Sequence, residues 1–344
     1  MCKKTIAVIF GGCSPEYEVS LQSAYSVLQH LDPPKYNVIP VGITRQGDWY
    51  RYCGKLENIP ADIWWQVPRH LVRVAVSNSR SVRGLIELRN TGVSVAPVDL
   101  AFPVLHGQNG EDGTVQGLFE LAGIPVIGCG TLASALCMDK DRAHRLVQAA
   151  GIPVPRGITL RRGDPVDTRD LYYPLFVKPV RAGSSFGITK IFRREDLELA
   201  VALAFEHDDT VIIEENVEGF EVGCAVMGIR DLTVGRVDEI ELSHGFFDYT
   251  EKYTLKTSRI HMPARIDGAT EERIRARARV IYRTLGCSGF ARVDMFLRPD
   301  GEIVFNEVNT IPGFTAHSRY PNMMKGIGLS FSDMLDKLIG LYAL

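Results

Sequence analysis

The clearest pattern in the chain is an alternation of polar and apolar positions from Phe290 to Leu297. Arg292, Asp294 and Phe296 fall on one side, and Ala291, Val293, Met295 and Leu297 on the other, which is the period of a strand. Pro299-Asp300-Gly301 has turn chemistry. Glu302–Asn309 then returns as a second strand, with Glu307 and Asn309 two apart and so on one face. If the turn holds an even number of residues, that face also carries Asp294. One hairpin would then present Asp294, Glu307 and Asn309, with Arg292 beside them.

The same reading predicts strands at Thr5–Phe10, Asn37–Ile43, Val98–Val104 and Pro125–Ile127. Helical spacing covers Val19–Leu31, which stops at Asp32-Pro33-Pro34, and Leu118–Ala122. Strand, helix, strand in this order predicts a parallel sheet with its ligand crevice at the strand ends. A domain boundary is expected near Cys129, followed by one long helix over Thr131–Ala150 that Pro153 and Pro155 end. Tyr173–Lys178, Ile188–Phe192, Val211–Glu215, Glu221–Ile229 and Leu232–Glu241 read as strands. Leu242–His261 is irregular, with four aromatics among Lys252 and Lys256, the composition of a functional lid. Helices are expected at Glu271–Leu285 and Ser330–Tyr342.

Composition narrows the class. A chain of 344 residues exceeds one ordinary core, so two or three domains are expected. It is 45% hydrophobic and 23% charged, as soluble globular proteins are. A net charge of -2 gives no reason to expect nucleic acid or an anionic membrane as partner. The first apolar run, Ile6–Phe10, is a strand and not a signal segment, and no stretch is long enough to span a bilayer. Seven cysteines, an odd number without a C-x-x-C pair, point to reduced thiols and a cytoplasmic location.

Candidate chemistry starts at the hairpin. Two carboxylates and an amide oxygen are hard ligands that suit Mg²⁺ better than zinc. A merely solvated face fits poorly, because Val293, Met295, Val304 and Val308 read as buried and acids among them need partners. Gly11-Gly12-Cys13-Ser14 lacks the G-x-G-x-x-G fingerprint, which disfavours a dehydrogenase. The glycine-rich stretch from His106 to Gly113 either lets backbone approach a ligand or is a long turn. Lys178 followed by Arg181-Ala182-Gly183-Ser184-Ser185-Phe186-Gly187 outlines a phosphate cradle or a hairpin tip, but not a Walker A loop. Glu214, Glu215 and Glu221 at strand ends suit an adenine edge and ribose hydroxyls, or form an exposed charged corner.

Taken together, these segments resemble the D-alanine–D-alanine ligase family. The resemblance rests on Gly11-Gly12-x-Ser14-x-Glu16-x-x-Val19-Ser20, Leu105-His106-Gly107 with Gly110-Glu111-Asp112-Gly113, and Val177-Lys178-Pro179 with Gly183-Ser184-Ser185-x-Gly187. Ala291-Arg292-Val293-Asp294, Asn306-Glu307-Val308-Asn309-Thr310 and Pro312-Gly313 complete it. It runs from residue 4 to residue 342. Cys137-Met138-Asp139-Lys140, Cys224-Ala225-Val226 and His317-Ser318-Arg319-Tyr320-Pro321 are similar to the glycopeptide-resistance branch, and within it to D-alanine–D-serine ligases of the VanG type.

The resemblance implies an α/β, three-domain ATP-grasp fold. Residues 1–128 would form a Rossmann-like domain that binds the first D-alanine, 129–220 the central lid domain, and 221–344 the C-terminal domain with the metal site and a lid loop at 242–261. It implies that Lys140 and Lys178 contact the phosphates of ATP, that Ser185 lies over them, that Glu214, Glu215 and Val217 meet adenine, and that Glu221 holds the ribose. Asp294, Glu307 and Asn309 would bind two Mg²⁺, with Mn²⁺ as a substitute. Glu16 would hold the first ammonium with His106 nearby, and Ser184 and Tyr253 would link Glu16 to the lid. Arg292 and the Gly313 N–H are the implied oxyanion stabilisers. Lys252 and Ser318 fall in the second-substrate site, and the pair Lys252-Tyr253, where D-lactate ligases of the family carry histidine, implies an amine nucleophile. Arg319 either reads the hydroxyl of D-serine or forms a structural ion pair with a nearby carboxylate. The implied function is ATP-dependent synthesis of D-alanyl-D-serine for peptidoglycan precursors by a homodimer. Alternatives are a D-alanine–D-alanine ligase, another ATP-grasp carboxylate–amine ligase, and a non-catalytic nucleotide-binding regulator.

Overall fold

Three β-sheets organise the chain, and the computed structural model describes residues 3–183, 186–242 and 258–342. The first sheet comprises β1 (Lys4–Gly11), β2 (Tyr36–Ile43), β3 (Trp49–Tyr52), β4 (Leu71–Val76), β5 (Gly84–Arg89), β6 (Gly92–Pro97) and β7 (Leu100–Pro103). Their spatial order is β6-β5-β4-β3-β2-β1-β7. β1 is parallel to β2 and to β7, and α1 (Tyr17–His30) makes the crossover between β1 and β2. Ile6, Val8 and Phe10 enter one core and Ala7 and Ile9 another, so the unbroken apolar run is a strand buried on both faces. From β2 to β6 every pairing is antiparallel. The expected parallel sheet is therefore mixed. The links from β2 to β3, β4 to β5 and β5 to β6, such as Asn90-Thr91, are too short for a crossover and permit only hairpins. The strand expected at Pro125–Ile127 is reduced to one bridge from Val126 to Ala101.

After α2 (Thr114–Ala122), the long helix expected over Thr131–Ala150 is two helices, α3 (Thr131–Met138) and α4 (Lys140–Ala149). Asp139 separates them. Its backbone is extended and its side chain accepts the Arg142 N–H at 2.9 Å, the geometry of an N-cap, for which aspartate is favoured. Both helices pack with the third sheet, through Ala133, Cys137, Ala143 and Val147. The second sheet has β8 (Gly157–Arg161), β9 (Leu175–Pro179), β10 (Thr189–Ile191) and β11 (Thr210–Glu215), ordered β10-β9-β11-β8 and antiparallel. With α5 (Leu197–Ala204) it has a core of its own.

The third sheet contains β12 (Phe220–Gly228), β13 (Thr233–Leu242), β14 (Ser258–His261), β15 (Gly289–Leu297) and β16 (Ile303–Asn309), ordered β14-β13-β12-β15-β16. It is backed by α6 (Gly268–Thr284), and α7 (Arg319–Lys325) and α8 (Phe331–Gly340) close the chain. The first and third sheets share a core in which Phe102, Phe290, Phe314 and Tyr320 pack ring on ring, Phe290 and Phe314 at 5.0 Å. Among the described residues no helix is long and apolar enough to cross a membrane.

Candidate active site

The hairpin of β15 and β16 does present its acids on one face, but not through the turn. Leu297 pairs with Ile303, so the turn holds the five residues 298–302. That odd count would set Asp294 against Asn306. Instead Met295 pairs with Phe305 and Asp294 with Glu307, leaving Asn306 as an extra residue in β16. A β-bulge of this kind shifts the register by one, and it turns Glu307 and Asn309 to the side of Asp294. Across four strands the pairing lines up Asp238, Gly223, Asp294 and Glu307, with Ala225, Arg292 and Asn309 in the neighbouring row. Arg292 grips both oxygens of Asp294, at 2.8 and 2.7 Å, and the Asn309 Nδ2 donates to Asp294 Oδ2 at 2.8 Å. Burial opposes the charge on Arg292, but the Asp294 carboxylate outweighs it and raises the guanidinium pKa.

Arg319 lies over Gly223, where a Cβ would come within 2.2 Å of its Nη2. Only glycine leaves room for it. Its Nε and Nη2 donate to the two oxygens of Asp238 at 2.7 and 2.8 Å, and Nη1 donates to Glu221 at 3.0 Å. Asp294 Oδ1 is 3.5 Å from Nη2. Asp238 is fully buried. Of the two readings of Arg319, this geometry builds the structural ion pair. It also commits a carboxylate oxygen of Glu221, the expected ribose ligand, to Arg319.

At the other end, Glu16 precedes α1 and its carboxylate is wedged between two glycines. A methyl at Gly107 would stand 2.4 Å from Oε2, and one at Gly183 3.1 Å away. The glycine-rich stretches around Gly107 and Gly183 thus meet at Glu16, where the missing side chains leave room for its carboxylate. His106, expected beside the first ammonium, has both ring nitrogens engaged, Nδ1 with Ile311 O at 2.8 Å and Nε2 with Ser23 Oγ at 3.0 Å. Glu111 borders the same cavity and accepts the N–H of Gly107 at 2.9 Å and of Ile311 at 2.8 Å. Burial and the nearby Glu16 charge push its carboxyl up to about 8.

Toward the second sheet, Lys140 at the start of α4 donates to Ala182 O at 2.8 Å and lies 3.9 Å from Glu307. Lys178 on β9 donates to Glu214 Oε2 at 2.6 Å, and His144 Nδ1 is 3.1 Å from the other oxygen of Glu214. Burial opposes ionisation of Glu214, but Lys178 and His144 outweigh it and hold the carboxyl far below its usual range. His144 Nε2 contacts the carbonyl of Asn306, the bulge residue, at 2.8 Å. The lysine end is thereby tied to the acidic hairpin. The Glu214 side chain is 1% exposed and is engaged by Lys178 and His144, which does not fit the expected contact with adenine. Glu215 accepts the Tyr172 N–H at 3.0 Å, and Val217 follows β11, half-buried. Ser318 Oγ accepts the Thr315 N–H at 3.0 Å.

Glu16, His106, Lys140, Glu221, Arg292, Asp294, Glu307, Asn309, Gly313, Ser318 and Arg319 all line one cavity of about 540 Å³. Lys178, Glu214, Glu215 and Val217 are not among its lining residues. Ser184, Ser185, Lys252 and Tyr253 lie outside the described residues. Among the described residues no three acids, histidines or cysteines are grouped as for a metal. The hairpin set is two carboxylates and an amide; the Asn309 amide nitrogen is turned to Asp294, and among the described residues its oxygen accepts no hydrogen bond. These donors fit a hard divalent cation. Asp238, His144, Ser23 and Glu111 were not identified as functional from the sequence. Of these only Glu111 carried a signal, as part of a glycine-rich motif.

Two family models match this chain, D-ala D-ala ligase N-terminus over residues 5–129 and D-ala D-ala ligase C-terminus over residues 146–340. The crystal structure of the VanG D-Ala:D-Ser ligase from Enterococcus faecalis is similar at a TM-score of 0.92 and 63% identity, over 99% of this chain and 100% of that one. The D-alanine–D-alanine ligase of Caldicellulosiruptor bescii is 42% identical over 99% of this chain and 95% of its own length. A putative D-alanine–D-lactate ligase of Streptomyces coelicolor is 44% identical over 99% and 98%. The names of these relatives share the first substrate and differ in the second. With both halves matched and the cavity built from the motif residues, the chain belongs to the D-alanine–D-alanine ligase family, ATP-grasp enzymes of three domains that join D-alanine to a second substrate.

Proposed function

We propose that this chain uses ATP to join D-alanine to D-serine through a D-alanyl phosphate, with D-alanyl-D-alanine as the lesser product. The observation that carries the ligation chemistry is the convergence of Glu16, Lys140, Arg292, Gly313 and the Asp294, Glu307, Asn309 face on one cavity. Glu16 holds the ammonium of the first D-alanine and directs its carboxylate toward Arg292. That carboxylate attacks the terminal phosphoryl group of ATP, and ADP leaves. Lys140 and Lys178 offset the phosphate charge. Asp294, Glu307 and Asn309 would hold Mg²⁺, which when bound neutralises phosphoryl oxygens. The amine of the second amino acid then attacks the acyl carbon, and inorganic phosphate leaves from a tetrahedral intermediate. Arg292 and the Gly313 N–H stabilise its oxyanion. Among the described residues the Gly313 N–H donates to none, which leaves it available for that role.

The D-serine preference is supported by the likeness to the VanG D-Ala:D-Ser ligase and by Lys252-Tyr253 in the lid stretch, which favours an amine over a hydroxy acid. Arg319 adds little to it. Asp238 and Glu221 take three of its five hydrogens, and Asp294 Oδ1 stands 3.5 Å from Nη2, so most of the guanidinium is committed to carboxylates of the chain. A cytoplasmic homodimer joined through the first domain belongs to the same proposal. The test is phosphate release from ATP, Mg²⁺ and D-alanine, followed by competition between equal D-serine and D-alanine with products separated by mass. No phosphate release would overturn the ligase reading and favour a nucleotide-binding regulator. Predominant D-alanyl-D-alanine would overturn the choice of D-serine alone.

A further inference from the structure

The turn Ile311-Pro312-Gly313-Phe314 follows β16 in the C-terminal part of the chain, yet residues of the first domain hold it at three points. The Ile311 N–H donates to Glu111 Oε1 at 2.8 Å. The Ile311 carbonyl lies 2.8 Å from His106 Nδ1. The Phe314 N–H donates to Ser23 Oγ at 3.2 Å. A carbonyl oxygen can only accept, so His106 carries its proton on Nδ1, and Nε2 accepts from the Ser23 hydroxyl 3.0 Å away. Burial keeps this imidazole below its ordinary pKa and hence neutral, which fits that assignment. Ser23, His106, Ile311 and Phe314 are all buried, so water does not replace these contacts. The second oxygen of Glu111 accepts the Gly107 N–H, and Gly107 is the residue against which the Glu16 carboxylate rests.

We propose that Ser23, His106 and Glu111 are positioning residues, which set the Gly313 N–H in register with Glu16 and so align the oxyanion donor with the bound first substrate. This rests on the reading of Gly313 and Glu16 given above. Glu111 is the pivotal member, since one side chain ties the backbone beside Glu16 to the backbone beside Gly313. His106 then acts on the turn and not on the substrate ammonium. The catalytic donor is carried by the C-terminal domain, and its placement is dictated by the first domain. Misplacing a catalytic group by about 1 Å costs on the order of 10²-fold in rate, and loss of one of three ties is expected to fall short of that.

The experiment uses the full chain and two variants, Ser23→Ala and Glu111→Gln. Ser23→Ala removes the acceptor of Phe314. Glu111→Gln sets an amide NH₂ against one of two backbone N–H groups. Steady-state kinetics, thermal unfolding and the affinity of a phosphinate analogue of the dipeptide are measured. The tetrahedral phosphorus of that analogue stands in for the intermediate. The expected result is a fall in kcat of roughly tenfold, a parallel loss of phosphinate affinity, and KM for ATP within about twofold of the parent. Wild-type kcat with unchanged phosphinate affinity in both variants would overturn the proposal. So would a loss of kcat that only follows the fraction unfolded. Each variant removes a different contact to the same turn, so a folding failure in one leaves the other to decide. A parent chain that releases no phosphate would instead remove the functional reading, and the proposal with it.

Discussion

Arg319→Leu separates a structural arginine from one that reads substrate. Arg319 is 8% exposed and Asp238 0%. Removing one partner of such a buried pair costs about 3–5 kcal/mol, mostly because the other charge is left uncompensated. Glu221 is the more open partner at 16%, and Asp294 keeps Arg292, so Asp238 accounts for most of the loss. A cost of that size is a large part of the roughly 5–15 kcal/mol that holds a domain folded. Urea and thermal unfolding of the full chain measure it, in a cycle with Asp238→Asn. The two changes should couple by about 2 kcal/mol, within the range for residues in contact. Arg319→Lys should recover only part, because an ammonium cannot replace a two-pronged guanidinium contact. If Arg319→Leu unfolds like the parent and only moves the product from D-alanyl-D-serine toward D-alanyl-D-alanine, the structural account is wrong and Arg319 reads the hydroxyl.

Four other outcomes follow from the same geometry. Glu307→Gln should abolish ligation, because it removes one of the two carboxylates that would balance Mg²⁺ and ATP, and should cost less stability than the change at Asp294, since Glu307 is 25% exposed and Asp294 1%. Asp294→Asn should abolish ligation and also destabilise, because Asp294 balances Arg292 and lies near Arg319; turnover near normal in either variant would contradict the metal face. Glu111, raised from 4.5 to about 8, contributes stability that is complete below about pH 4.5 and is lost as pH rises through about 8. Unfolding midpoints followed across that window should therefore fall less steeply in Glu111→Gln, and equal slopes would count against the shift. Gly107→Ala should raise KM for D-alanine, because φ is +71° there and the new methyl would meet Glu16 Oε2 at 2.4 Å and Ser14 Oγ at 2.9 Å; an unchanged KM in a folded protein would show that Glu16 does not hold the first substrate.

What the sequence determined by itself was local. The alternation through Arg292 and Asp294 specifies a strand because side chains on a strand have period two. Lys178 before a glycine and serine loop, and Glu16 after a glycine pair, stood out as motifs because each is a few consecutive residues, though their partners Glu214, Gly107 and Gly183 lie far along the chain. Some of the fold was misread for reasons that are also local. The cap at Asp139 interrupts helical spacing that runs on through it, and the meander from β3 to β6 is made of short, weakly patterned strands.

Only the tertiary structure decided how these pieces meet. The common face of Asp294 and Glu307 depends on the bulge at Asn306, and a one-residue register shift leaves no mark on composition. Arg319 offered two readings until folding brought it to Asp238, 81 positions earlier in the chain, with Gly223 leaving the space between them. Glu111 and Ser23 meet the turn that bears Gly313 across 200 and 291 positions. Hydrogen bonds and buried ion pairs act over a few ångströms, and which residues come within that range is settled by how the three sheets pack, something no local pattern encodes.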